Sequence, residues 1–562
     1  MESPYERALI EISHTGKFQK WFDILYIVVL GVFWVMAYNN IILALAVTPH
    51  TCRLPDKPEN ISEYLWKIKN IPTTENGGAK IKFSECLIYT APGHTNDTTK
   101  CNEYAYDTTW YETTISSDNN WVCDKELNVA NVFAYSKIGE AIGSIFFGWF
   151  SDVYGRKPTY IISLALLVVG RFLSVFASSS YFLFTLGCIF ASFPSWSAVQ
   201  STTVISLEIS SHKRRSTVAK LHLLSTSFGM ILMPLMYWWL KNWKAFLIVT
   251  TATQLPYLLM SWKILESPQW LWVNKRTKSC IQQLKIISKW NKTKLNPDTE
   301  NEILSAPHTV SNKIEMLGPL ALFSGIKLTI RTLLQLFFAV SVNYTAILMS
   351  SGEKADGNPF LEFTLQSLAE IPGFIVAAWL ADHIGRRYTG VTSSVLTAFI
   401  WIIHSFRATS NTILVVANRF SITISYYLIN LLNMELYPTC LRQSGMSFGN
   451  VISGAASALA PYILFMGRRC GAFYPGAILA IISLLGGVVS FILPETLNAK
   501  LPETVDDFYT YTSLCSKRMN LLYRINFINK TYFDEVKRCV ITHKLSLKSK
   551  QCSHLSLLVM AT

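Results

Sequence analysis

Twelve long apolar runs limit what this chain can fold into. They lie at roughly 22–48, 128–150, 159–178, 181–207, 217–240, 244–265, 328–350, 359–381, 389–407, 411–434, 445–466 and 470–493. Crossing the ~30 Å hydrocarbon core as helix takes about 20 mainly apolar residues. Inside lipid, only helices and closed barrels satisfy every backbone polar group. Half of the 562 residues are hydrophobic and only 15% are charged. The predicted fold class is therefore an all-α membrane protein, with twelve transmembrane helices in two pseudo-symmetric six-helix bundles.

The two bundles are predicted from a duplication. Ser151-Asp152-Val153-Tyr154-Gly155-Arg156-Lys157 follows the second run, and Ala381-Asp382-His383-Ile384-Gly385-Arg386-Arg387 follows the eighth. Glu208 with Arg215 is matched by Glu435 with Arg442, Glu266 by Glu495, and Glu140 by Glu370, in the same order and at nearly the same offset. Four ordered matches mark an internal repeat.

The long polar loop between the first two runs carries Cys52, Cys86, Cys101 and Cys123, with acceptor sequons at Asn60 and Asn96. Cysteines and sequons together read as an oxidised, glycosylated extracellular segment with two disulfides, whose pairing has three possibilities. With that loop outside, both Asp-Gly-Arg turns face the cytoplasm, as do 266–327 and the basic tail. This agrees with the positive-inside rule, although Arg468-Arg469 falls outside against it. The +14 net charge is thus a topology signal rather than a nucleic-acid footprint. No cleavable signal peptide is expected.

The predicted layout is a cytoplasmic N-terminus 1–21, read as a short polar lead; a first bundle 22–265 including extracellular loop 51–127; a cytoplasmic connection 266–327; a second bundle 328–493; and a cytoplasmic tail 494–562. The periodicity around Ile281–Ile287 predicts a short amphipathic helix on the membrane surface.

Twelve runs in two halves, with D-x-x-G-R and then Lys or Arg after the second and eighth, resemble the major facilitator superfamily. The cysteine-bearing first loop narrows the resemblance to its organic cation, anion and carnitine transporters. Glu266-Ser267-Pro268-Gln269-Trp270-Leu271 is similar to that family's E-S-P-R-W-L. Glu435-Leu436-Tyr437-Pro438-Thr439 with Arg442 is similar to its E-L-Y-P-T-x-x-R, Pro494-Glu495-Thr496 to its P-E-T, and Asn418-Arg419-Phe420 to its G-R/K-F. Two positions depart from the pattern. Thr185–Phe190 in span 4 lacks the family's arginine. In span 11, Gly454 stands where cation carriers commonly have an acid and anion or carnitine carriers an arginine.

The resemblance implies the major facilitator fold and alternating access. The charged turns are then expected to act in gating: Asp152, Gly155, Arg156, Lys157, Glu208, Arg215 and Glu266 in one half, and Asp382, Gly385, Arg386, Arg387, Glu435, Arg442 and Glu495 in the other. Intramembrane ionisable groups are costly and mark pathways. Lys137 and Glu140 share a face of span 2 and read either as cavity residues or as a self-neutralising pair. Glu362, Gln366 and Glu370 form one stripe of span 8. Glu362 is placed near the outer mouth in contact with water, and Glu370 is the expected acid of the central cavity. Tyr344, matching a family cavity tyrosine, with Phe337 and Phe338 supplies aromatic faces for cations. Asn39, Asn40 and Gln254 offer neutral polar contacts, and Gly454 completes the expected cavity.

The expected function is secondary transport of small organic cations or zwitterions by alternating access; the alternatives are an organic anion carrier or a non-transporting sensor. An enzyme is not expected: the histidines are scattered, and H-E-x-x-H does not occur. No cofactor or metal is called for. The expected partners are a small organic ion, the lipid bilayer and a coupling ion, with no nucleic acid. The expected location is the plasma membrane, with both termini cytoplasmic.

Overall fold

The computed structural model describes residues 4–497, apart from 13–15, parts of 55–60, 75–81, 91–96, 211, 351–356, 407–411, 438–441, 472 and most of 306–336. Among the described residues, each apolar run contains a helix or a broken pair of helices, which we number as spans 1–12. Among the described residues, nine have the length and composition to cross a membrane: Lys17–Ala44, Arg156–Phe176, Tyr181–Glu208, Thr217–Leu240, Pro359–His383, Arg386–Phe406, Thr412–Leu432, Phe448–Gly467 and Phe473–Ile492. These are spans 1, 3–5 and 8–12. Span 2, Leu127–Tyr154, is as long but carries Lys137 and Glu140. Span 6 is split into Trp243–Ala252 and Leu255–Leu259, where Pro256 lacks the N–H that a continuous helix would need. Span 7 is described over Phe337–Ser350.

Small residues let the spans approach closely. A Cβ at Gly170 of span 3 would lie 2.7 Å from the carbonyl of Gly187 in span 4, and a Cβ at Gly187 would lie 2.8 Å from that of Gly170. This backbone contact occupies the stretch where the family arginine of span 4 is missing. Across the halves, span 5 packs on span 8 and span 2 on span 11.

The loop after span 1 is built from three two-stranded antiparallel pairs, His50–Cys52 with Tyr104–Tyr106, Thr73–Thr74 with Lys82–Phe83, and Leu87–Tyr89 with Thr98–Lys100. Of the three pairings open to its cysteines, the structure takes Cys52–Cys101 and Cys86–Cys123. The loop is tied to the bundle: Trp243 Nε1 donates to Asp118 at 2.8 Å and Ser116 Oγ to the Leu45 carbonyl at 2.9 Å. Asn60 and Asn96 lie outside the described residues. We call this the loop end of the bundle, and the opposite end, with the two glycine turns, the turn end.

Two expectations are corrected at the turn end. The N-terminal lead is not merely polar: Pro4–Glu11 is a helix burying Tyr5, Ala8 and Leu9. The helix predicted around Ile281–Ile287 exists as Thr277–Asn291, but Cys280, Ile281, Leu284 and Ile287 pack in one core with Tyr5, Leu9 and Ile12 rather than on lipid. Asn291 joins the two segments. Its Nδ2 donates to the Ile12 carbonyl at 2.8 Å, and its Oδ1 accepts from the Phe18 N–H at 2.9 Å.

Candidate functional site

The repeated turns adopt one geometry twice. Gly155 and Gly385 have φ of 110° and 99°, a region that only glycine enters without strain. Each turn opens a helix whose free N–H groups need acceptors. The Arg156 N–H donates to Glu266 Oε1 at 2.9 Å, and the Arg386 N–H donates to Glu495 Oε1 at 2.9 Å. The Arg156 side chain then reaches Asp152 at 3.0 Å and Glu208 at 3.6 Å. Arg386 reaches Asp382 at 3.3 Å and Glu435 at 3.2 Å. Ser267 and Thr496 donate to Glu208 and Glu435 in turn. Each of these pairs closes within its own half. Burial holds the Glu266 carboxyl above its usual range, against the backbone donors that favour its ionised form. The Lys157 ammonium extends to the Trp262 carbonyl at 3.0 Å, and Arg387 lies over the Phe491 ring at 4.1 Å. The side chains of Arg215 and Arg442 lie outside the described residues.

Among the described residues, two ion pairs lie within the spans around the centre of the bundle. On span 8, Glu370 is buried and paired with Arg419 of span 10, itself fully buried. Tyr344 of span 7 donates to Glu370 Oε1 at 3.0 Å and accepts from Arg419 Nη2 at 2.9 Å, with its ring 4.0 Å from the guanidinium carbon. Ser227 of span 5 donates to Glu370 Oε2 at 3.2 Å, from the other half. Glu370, the acid expected in the central cavity, thus has its charge balanced by Arg419. A buried carboxylate needs such a partner to stay ionised.

The second pair is on span 2, where Lys137 Nζ meets Glu140 Oε2 at 2.7 Å, with the Tyr38 ring 5.8 Å from the ammonium. Tyr426 of span 10 stacks on Tyr344 with centroids 5.5 Å apart.

Other expected cavity residues are placed differently. Gly454 is buried in the contact between spans 11 and 2, where a Cβ would lie 2.9 Å from that of Ala141 and 3.1 Å from its backbone. No charge fits there without moving a helix. Glu362 is buried rather than solvated, with Gln366 Nε2 donating to it at 3.4 Å and Thr412 at 3.2 Å. Asn39 and Asn40 bond Met230 and Thr250, and Gln254 is fully buried beside Thr253. The side chains of Phe337 and Phe338 lie outside the described residues.

Three buried charges escaped the residue-by-residue reading. Arg419 was visible only as part of a motif. Arg171 of span 3 is fully buried and donates to the Ala37 and Tyr38 carbonyls of span 1 at 3.2 and 2.6 Å. Asp23 sits in a wider π-helical turn of span 1, Asp23–Val29, bound by Ser206 at 2.5 Å and by Arg214. A lone charge inside an apolar run is the signal for Arg171 and Arg419.

At the loop end the halves meet through rings. Tyr111 of the loop and Tyr237 of span 5 lie 4.8 and 5.5 Å from Phe360 of span 8, and Tyr462 of span 11 donates to Asn131 of span 2 at 2.9 Å.

Comparison with known proteins agrees with this architecture. Residues 89–508 match the family described as "Sugar (and other) transporter". The chain is 26% identical over 520 residues to the Xenopus laevis solute carrier family 22 member 16, covering 86% of this chain and 87% of that one. It is 26% identical to a Drosophila melanogaster beta-alanine transporter (84% and 83% covered) and 23% identical to the human organic cation/carnitine transporter 2 (83% and 87%). Its fold resembles a partially occluded inward open conformation of the xylose transporter XylE from E. coli, with a TM-score of 0.56, 12% identity, and 85% and 99% of the two chains covered.

Proposed function

The chain belongs to the sugar (and other) transporter family, as a member of its organic cation, anion and carnitine branch, and from that premise we propose that it carries small organic zwitterions or cations by alternating access. It is a multi-pass membrane transporter of small organic solutes, not an enzyme. The finer reading rests on one observation, the charge balance at the centre. Glu370 is neutralised by Arg419 and Glu140 by Lys137.

An uncompensated acid in low dielectric would favour a monovalent cation and reject an anion. Balanced pairs instead leave no net charge that rejects either sign, which suits a solute that carries both. A cation is accepted if Glu140 turns to it while Lys137 is drawn aside. The names of the beta-alanine and the organic cation/carnitine relatives support this range. The halves would rock about the contacts of spans 2 and 11 and of spans 5 and 8, with the two glycine turns facing the cytoplasm of a plasma-membrane protein.

The test is uptake of radiolabelled beta-alanine, carnitine, tetraethylammonium and para-aminohippurate by cells expressing the chain, at normal and collapsed membrane potential. Zwitterion or cation uptake is expected. Cation uptake should fall with the potential, because one charge gains ~2.3 kcal/mol per 100 mV; potential dependence of zwitterion uptake would reveal a coupling ion. Uptake of the anion alone would overturn the proposal, and surface expression without flux of any probe would favour the sensor reading.

A further inference from the structure

We propose that the Lys137–Glu140 pair of span 2 is the subsite that reads solute charge, and that the Glu370–Arg419 pair is a locked structural partner. The proposal deepens the transport reading and rests on it.

The two pairs differ in access. Glu370 and Arg419 side chains are 4% and 1% exposed, whereas Glu140 and Lys137 are 13% and 26% exposed. A solute cannot compete for a carboxylate sealed by a guanidinium, a tyrosine and a serine. It can compete for a pair that solvent reaches.

The exposure of the span 2 pair is not toward lipid. The outward stripe of this helix is Tyr135, Ile138, Ile142, Ile145 and Trp149, all large, apolar and exposed. At 100° per residue, Glu140 lies about 200° from Ile138 and about 160° from Ile142, on the opposite face. Lys137 lies about 100° from Ile138 and about 80° from Ile145, at the flank of the stripe on the side where Ala141 packs against span 11. The pair therefore faces the interior, where the Tyr38 ring lies 5.8 Å from the Lys137 ammonium. Tyr426, stacked on Tyr344, retains 36% of its surface.

Gly454 adds a reason for this placement. A Cβ there would lie 2.9 Å from that of Ala141, the residue after Glu140. The side of the cavity where span 11 could offer a charge is filled by span 2 itself, and span 2 supplies both signs nearby, Glu140 one position and Lys137 four positions before Ala141. A zwitterion fits this arrangement by exchange: its ammonium takes Glu140, its carboxylate takes Lys137, and the Lys137–Glu140 contact opens. Desolvating the solute's charges is then offset by partners of opposite sign.

Two measurements on the full chain test the proposal. The first needs no solute. Lys137→Cys and Glu140→Cys variants, in open membrane fragments that expose both faces, are treated with cationic and anionic methanethiosulfonates. With Glu140 left behind, Lys137→Cys should react faster with the cationic reagent; with Lys137 left behind, Glu140→Cys should react faster with the anionic one. Reaction at the parent chain's background rate, or without charge preference, would overturn the proposal.

The second measurement uses whichever probe the uptake panel identifies. Glu140→Gln should raise KM for an ammonium-bearing probe by roughly ten- to a hundred-fold, the scale of one charge-assisted hydrogen bond, with surface expression retained. The charge-swapped K137E/E140K double variant should recover part of that loss. An unchanged KM in Glu140→Gln would mean that the pair only neutralises itself. Failure of every probe in the parent chain would count against the transport reading, while the labelling pattern would still decide whether the pair lines a water-filled cavity.

Discussion

Ser227 on span 5 donates to Glu370 on span 8 at 3.2 Å, a buried hydrogen bond that crosses from one half of the molecule to the other. Glu370 is held within its own half by Arg419 and Tyr344, so the serine is the member of the cluster that must let go when the halves separate here. Ser227→Ala should remove roughly 1 kcal/mol from the state in which spans 5 and 8 are packed. The expected outcome is normal expression with an altered maximal uptake rate and little change in solute KM. A large KM change with unaltered rate would place Ser227 in recognition instead.

Breaking the buried pair from one side should be more harmful than removing both partners. Arg419→Leu leaves Glu370 in low dielectric without its counter-charge, a cost of about 3–5 kcal/mol for such pairs. The double variant R419L/E370Q should recover much of the lost thermal stability, because no uncompensated charge remains. Stability in detergent, followed by fluorescence-detected size exclusion after heating, measures both. Equal losses in the single and double variants would show that the two residues act independently.

The contact between Gly454 and Ala141 predicts a size-dependent defect. Gly454→Ala should lower transport and stability, and Gly454→Arg should abolish surface expression, since the new atoms meet the span 2 backbone at 3.1 Å and overpacking of this kind costs roughly 1–3 kcal/mol or more. Combining Gly454→Ala with Ala141→Gly should restore much of the loss. Absence of any rescue would mean that the defect does not arise at this contact.

The disulfides predict how variants group. Cys52→Ser and Cys101→Ser should share one phenotype, and Cys86→Ser and Cys123→Ser another, with each double serine variant no worse than its singles. Each missing bridge should cost about 2–5 kcal/mol of loop stability, visible as reduced surface delivery. A Cys52→Ser phenotype that matches Cys86→Ser instead would contradict the pairing.

The mirrored turns should respond alike. Gly155→Ala and Gly385→Ala both force an L side chain into positive φ, at roughly 1–3 kcal/mol, and both place a methyl group against a glutamate, Glu266 or Glu495. Matching losses of folded protein are expected, with uptake per folded molecule the more informative reading. Loss in one half only would mean that the two turns are not equivalent.

The chain's order of residues was enough to establish the bilayer as solvent, the helical class, the two-fold repeat and the family. These follow from local quantities: run length against bilayer thickness, backbone satisfaction inside each helix, and short motifs that fold on themselves. The glycine turns belong here too, since Gly155 with Arg156 and Gly385 with Arg386 carry most of their geometry within seven residues. The partners of the buried charges were settled only in three dimensions. Glu370 and Arg419 are 49 residues apart, and periodicity on span 8 says which face Glu370 shares but not what stands opposite. The same limit hid the pairing of four equivalent cysteines, the contact that excludes a side chain at Gly454, and the N-terminal helix that covers Ile281 and Leu284. Charge balance in a membrane interior is a property of packed pairs, so the sign that a cavity prefers emerges only once the helices are in contact.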